Sequence, residues 1–182
     1  DFGIARFKPD GTLDSSFGVN GKVVTDFFNW DDYLESVCLQ KDGKIIAAGT
    51  IGNGHGNDFG LVRYYSNGNV DSSFGINGKI TIDFDNRDDH ATFVTLRNDG
   101  KIIAAGNSTV PFNGSDWAIT QYLPNGNFDS SFGENGKALI NVGEYGSANL
   151  VMIKQDGKII MGGKSYSYYT SKYDFALVQL NE

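Results

Sequence analysis

Short runs of alternating or nearly continuous apolar residues, bounded by Gly, Asn and Asp, recur along the whole chain; the first complete set covers 35–40, 44–49, 58–64 and 78–84. Their brevity and period of two predict β-strands, and no window of useful length carries the 3.6-residue period of a helix. Junctions such as Lys41-Asp42-Gly43-Lys44 predict tight hairpins, because Gly reaches positive φ without steric cost and Asp tolerates it.

The pattern is periodic. Asp-Gly-Lys begins at Asp42, Asp99 and Asp156, in steps of 57, and Asp-Ser-Ser-Phe-Gly begins at Asp14, Asp71 and Asp129, in steps of 57 and 58. Aromatic-starting strands follow Asp1, Asp58, Asp116 and Asp174. Four short antiparallel strands per repeat of this length are the signature of a β-propeller blade. With the strands of a repeat lettered A to D, 1–33 holds C and D of a first blade, 34–90 and 91–148 are complete blades, and 149–182 holds A to C of a last one. The expected fold is therefore all-β, a propeller segment of about three and a quarter repeats, too few for a ring of about four to eight blades. The missing blades are expected from the rest of a parent chain or from a second copy.

The segments Asp-Phe-Gly-Ile-Ala-Arg-Phe, Leu-Asp-Ser-Ser-Phe-Gly, Gly-Lys-Val-Val-Thr-Asp-Phe and Asp-Gly-Lys-Ile-Ile-Ala-Ala-Gly together resemble the delta-60 repeat family of large secreted or surface bacterial proteins. The resemblance covers essentially the whole chain. It implies the propeller architecture and an extracellular or cell-surface setting, including a role as a type IX secretion substrate, and brings no catalytic residues. The third repeat departs from it locally, with Asn141-Val142-Gly143 where the others read Asp-Phe.

Composition narrows the function. The formal charge is −7, which disfavours a nucleic-acid backbone as partner, and no apolar run approaches the roughly 18 residues of a membrane helix. Cys38 is alone, so neither an internal disulfide nor a Cys-pair zinc site is available. It is expected to pack, or to line the channel, without a redox role. His55 and His90 are the only imidazoles and no motif sets a nucleophile beside either, so no catalytic residue is assigned.

The repeated Asp-Ser-Ser-Phe-Gly is expected to be a turn in which the carboxylate accepts local N–H bonds and Phe anchors the loop; a repeated ligand site is the rival reading. Lys22, Lys79 and Lys137 are expected to enter strand D as solvated edge residues. Strand alternation puts the variable B-to-C and D-to-A loops on one face, where recognition is expected. Two features of that face stand out. Asp31, Asp32, Asp85, Asp88 and Asp89 crowd the first two D-to-A connections. No cofactor is assigned: capping, solvated aspartates are the favoured reading and a Ca²⁺ site is the alternative. The last B-to-C loop carries Tyr166, Tyr168, Tyr169 and Tyr173, a composition suited to binding, with Trp30 and Phe112 as further aromatic candidates.

The expected function is a non-catalytic binding or structural module that presents this face to a surface protein, a polysaccharide or neighbouring domains. A propeller hydrolase or lyase with an acidic metal site is the first alternative, and an inert spacer in a surface adhesin is the second.

Overall fold

The computed structural model describes residues 1–110 and 114–181. Among them are 13 strands and no helix. The strands are β1 (Phe2–Ala5), β2 (Lys22–Thr25), β3 (Asp32–Leu39), β4 (Ile45–Gly52), β5 (Asn57–Tyr64), β6 (Lys79–Ile82), β7 (Asp89–Leu96), β8 (Ile102–Val110), β9 (Gly114–Tyr122), β10 (Lys137–Ile140), β11 (Tyr145–Ile153), β12 (Ile159–Ser167) and β13 (Lys172–Leu180). β1 pairs with β2, and β3-β4-β5-β6 form a four-stranded sheet. β7 to β10 pair in the same consecutive antiparallel way, as do β11 to β13, and one parallel bridge, Tyr145 with Ser115, joins these last two groups into a seven-stranded sheet. The sheet is not closed.

Each four-strand set stacks face to face on the next. Ile45 and Ala47 of β4 pack with Phe2, Phe27 and Val62, whereas Ile46 and Ala48 pack against Val94, Ile102 and Ala104 of the following set. Ile103, Ala105, Trp117 and Ile119 form a third layer with Ala148, Val151 and Met161. Both faces of β4 and β8 are therefore covered, which is why these strands read as continuous apolar runs instead of alternating ones.

The first strand of a set starts earlier than its pattern predicts, at Asp32 against the expected 35. The cause is a bulge: the pairing register shifts between Leu34 and Ser36, and again between Ala91 and Phe93 and between Ala148 and Leu150. One extra residue throws the period-two alternation out of phase, so only the half after the bulge is legible as a strand. The bulge also presses the backbone onto the next strand. A Cβ on Gly49, Gly106 or Gly163 would lie 1.9, 1.9 or 2.0 Å from the carbonyl oxygen of Tyr33, His90 or Ser147, which accounts for the glycine that recurs at the fifth position of β4, β8 and β12.

The Asp-Ser-Ser-Phe-Gly segment is a turn. Asp71 Oδ1 accepts from Ser73 N (3.1 Å) and Ser73 Oγ (2.6 Å), and Phe74 is fully buried. The other carboxylate oxygen pairs with Arg63 Nε at 2.8 Å and Lys44 Nζ at 3.1 Å. Burial by itself would raise this carboxyl, but the bonds from Ser73 and Lys44 hold it well below the usual carboxylate range. Arg63 also reaches into the next set, donating from Nη1 to the Pro124 carbonyl at 2.6 Å.

Two of the strand-D lysines depart from the expectation of plain solvated edges. Lys79 donates to the Asp26 carbonyl and lies 5.1 Å from the Phe27 ring centroid; Lys137 donates to the Asp83 carbonyl at 3.0 Å and lies 5.5 Å from the Phe84 ring centroid. A lysine on β6 and another on β10 thus tie the β3–β6 and β7–β10 sets each to the set before.

Candidate functional site

The connections out of β2, β6 and β10 meet the β4–β5, β8–β9 and β12–β13 ends at one rim of the stack. Gly52 N donates to the Asp31 carbonyl (3.0 Å), Thr109 N to that of Asp88 (2.8 Å) and Glu144 N to that of Tyr166 (3.3 Å). The variable loops thus share a face, as strand alternation requires.

In the first two connections one aspartate folds inward as a cap. Asp32 Oδ2 accepts from Phe27 N at 3.0 Å and Asp89 Oδ2 from Phe84 N at 2.6 Å. Asp89 is fully buried and Asp32 is 5% exposed. Asp89 then meets Asp58, the second residue of β5, and Asp83, which follows β6; one carboxylate oxygen from each lies within 4.8 Å of the others, and Asp1, Asp26 and Asp32 make the same arrangement. Burial, with the Asp83 and Asp58 charges adding to it, raises the Asp89 carboxyl to about 7. Burial and the charges of Asp83 and Asp88 also raise Asp58, against a lowering bond from Asn53 Nδ2 at 2.6 Å.

Of the acidic residues singled out from sequence, the structure gathers only Asp32 and Asp89 into these clusters. Asp31 is exposed and offers its carbonyl to Gly52. Asp85 stands at φ 64° with its carboxylate 3.8 Å from Arg87. Asp88 Oδ1 is occupied by Asn57 N at 2.9 Å. Asp26 and Asp83 begin those same two acidic connections, whereas Asp1 and Asp58 were not expected there, although the recurrence of Asp at the start of every third strand was visible. A cavity of 170 Å³ opens beside the second cluster, lined by Asn53, His55, Asp58, Asp83, Arg87 and Asp88 among others.

The third seam is built differently. Asn141 takes the place of Asp83 and Gly146 that of Asp89. Asn141 Nδ2 donates to Asp116 Oδ1 at 2.9 Å, and Arg87 Nη1 lies 3.5 Å from Asp116 Oδ2. A Cβ on Gly146 would lie 2.7 Å from the indole nitrogen of Trp117, so the larger ring that replaces Phe59 leaves no room for a third carboxylate.

What the third seam gains is aromatic. Tyr145 pairs across the ladder with Tyr166, and Tyr166 with Tyr173, so the three rings share one side of three adjacent strands. Ring centroids are 6.2 Å apart for Tyr145 and Tyr166 and 4.9 Å for Tyr166 and Tyr173; Tyr168 closes on both Tyr145 (5.9 Å) and Tyr166 (5.6 Å). The preceding repeats place Asp31, Gly52 and Asn57, or Asp88, Thr109 and Ser115, at these lattice points. Tyr145 is the member that loop composition missed, because it lies in a different connection 21 residues upstream of Tyr166. Tyr169 is 96% exposed and joins no ring contact. Trp30 lies elsewhere, packed on Gly54 of its own rim, and Phe112 lies outside the described residues.

Below the tyrosine row the same side of β13 presents Phe175, 103% exposed, and Leu177, 77% exposed. Their counterparts Phe59, Leu61, Trp117 and Ile119 are fully buried under the following set. Burial raises the Cys38 thiol to about 12, so at neutral pH it is a protonated packing group beside the core.

A family model described as a β-propeller domain of unknown function (DUF5122) matches residues 1–17, 40–74, 97–132 and 154–182. No curated protein matches the chain.

Proposed function

The chain belongs to the DUF5122 β-propeller family, and from that premise we propose that it is a non-catalytic binding module that engages a protein or glycan partner through the tyrosine row. The observation that carries this reading is the replacement of Asp88, Thr109 and Ser115 by Tyr145, Tyr166 and Tyr173 at matching points of the rim. Tyrosines present rigid amphipathic area with little rotamer entropy to lose, and their hydroxyls supply adaptable hydrogen bonds. Three rings with a fourth leaning on them form a preorganised platform, which reduces the ordering cost of binding.

In this reading each four-strand set is a propeller blade, and the exposed Phe175 and Leu177 take the next blade, from the parent chain or a second copy. The resemblance to delta-60 repeats supports an exported, cell-surface setting. The test is a binding screen of the chain against immobilised bacterial surface polysaccharides and surface-protein extracts, repeated with Tyr145→Ser/Tyr166→Thr/Tyr173→Ser. Loss of a captured partner in the triple variant supports the platform. Unchanged interactions would leave an inert spacer as the better account.

A further inference from the structure

We propose that Asp58, Asp83 and Asp89 hold a Ca²⁺ ion in the seam between the β3–β6 and β7–β10 sets, and that Asp1, Asp26 and Asp32 repeat the site one seam earlier. This inference stands independently of the tyrosine platform.

Three carboxylate oxygens within 4.8 Å of one another are a spacing that one ion with bonds of about 2.4 Å can bridge. Asp89 is fully buried, one of its oxygens caps Phe84 N, and the other, Oδ1, has no hydrogen-bond partner. Asp32 Oδ1 is likewise without a partner in a residue 5% exposed. Ser108 faces Asp89 across the β7–β8 ladder, where its hydroxyl lowers the Asp89 carboxyl, and its buried Oγ has no other hydrogen-bond partner. A buried carboxylate oxygen without a hydrogen-bond partner is costly unless a cation meets it or the group takes up a proton, and the exposed Asp83 and Asp1 leave each cluster open to an ion from solvent.

Among the described residues no cationic side chain forms an ion pair with Asp58, Asp83 or Asp89. Arg87 lines the adjoining cavity but is directed to Asp85 and Asp116, and Lys137 bonds the Asp83 carbonyl and not its carboxylate, whose Oδ1 accepts from Asn86 N at 2.7 Å. His55, from the same cavity wall, is exposed in its loop. The third seam shows the alternative solution: with Asn141 and Gly146 in place of two carboxylates, the remaining Asp116 is met by an amide and by Arg87. The chain thus sets Arg87 against the one carboxylate that remains in the third seam, whereas no side-chain cation pairs with the carboxylates of Asp58, Asp83 and Asp89; at the earlier cluster the Asp1 ammonium donates to the Asp32 carbonyl at 3.3 Å. Hard oxygen ligands and a coordination number of six to eight favour Ca²⁺, and the 170 Å³ cavity has room for the waters that complete the shell.

The test is calorimetric titration of the chelator-treated chain with CaCl₂, in parallel with MgCl₂, on the parent, Asp83→Asn and Asp26→Asn/Asp83→Asn. Asn141 shows that asparagine fits this position, so both variants are expected to fold, with melting temperatures in chelator at or above the parent's. The parent should bind Ca²⁺ in preference to Mg²⁺ and melt roughly 5 °C higher in saturating CaCl₂. Asp83→Asn should lose one bound ion and the double variant every ion and the whole shift. Absence of binding at millimolar CaCl₂, equal affinity for Mg²⁺, or unchanged stoichiometry in the variants would overturn the proposal.

Discussion

Gly106 lies directly beneath the His90 carbonyl, so close that an added Cβ would sit 1.9 Å from the oxygen. Thr92, the extra residue of the β7 bulge, leaves β7 and β8 no way to separate, because both are held in register on either side of it. Gly106→Ala should therefore destabilise the chain by about 2–3 kcal/mol, the cost of overpacking a rigid interior site. Urea denaturation reads it directly, and a loss under about 0.5 kcal/mol would mean that the bulge yields.

Asp71 is fully buried between Arg63, 5% exposed, and Lys44. Removing it in Asp71→Ala leaves the guanidinium buried without its counter-ion, and the expected loss is about 3–5 kcal/mol by chemical denaturation. Asp14→Ala removes the same turn from the outermost set, where Arg6 is more exposed, and should cost clearly less.

Acid should unfold the chain through these same turns. Lys101 and Ser131 hold Asp129, and Ser73 and Lys44 hold Asp71, well below the usual carboxylate range. A carboxyl lowered in the folded state takes up protons more readily when unfolded, so its stabilisation is complete above the unfolded value of about 4 and is lost as pH falls below it. Melting temperature should drop steeply below about pH 4, and Asp129→Asn should flatten that slope while lowering stability at neutral pH.

Phe175 and Leu177 stand bare where Phe59 and Leu61 are fully buried. Light scattering after size exclusion should show self-association of the isolated chain, and Phe175→Glu/Leu177→Glu should disperse it without loss of β-sheet signal, since neither side chain packs in the interior. A stable, monodisperse monomer of the unsubstituted chain would contradict a stack that continues through this face.

Much of the architecture is local and therefore readable along the chain. Turn chemistry at Asp42-Gly43 and at Asp71-Ser72-Ser73 acts within a few residues, and the step of 57 or 58 residues announces a repeated unit before any contact is known. The Asp14, Asp71 and Asp129 turns were legible for the same reason, since each carboxylate bonds the Ser N–H two residues on. Arg63 and Lys44, which share the Asp71 charge, were not legible: they come from neighbouring strands and meet it only after pairing.

Sequence by itself determined the repeat, its strands and turns, and the loops that share a rim, because those depend on periodicity and on interactions between near neighbours. Tertiary structure alone decided which aspartates and tyrosines meet. Asp58 and Asp89 are 31 residues apart, as are Asp1 and Asp32, and Tyr145 belongs to a different connection from Tyr166. Their proximity arises when one set of strands stacks on the next and when β11, β12 and β13 pair in register, steps that apolar burial and backbone hydrogen bonding drive without regard to the charges or rings they bring together.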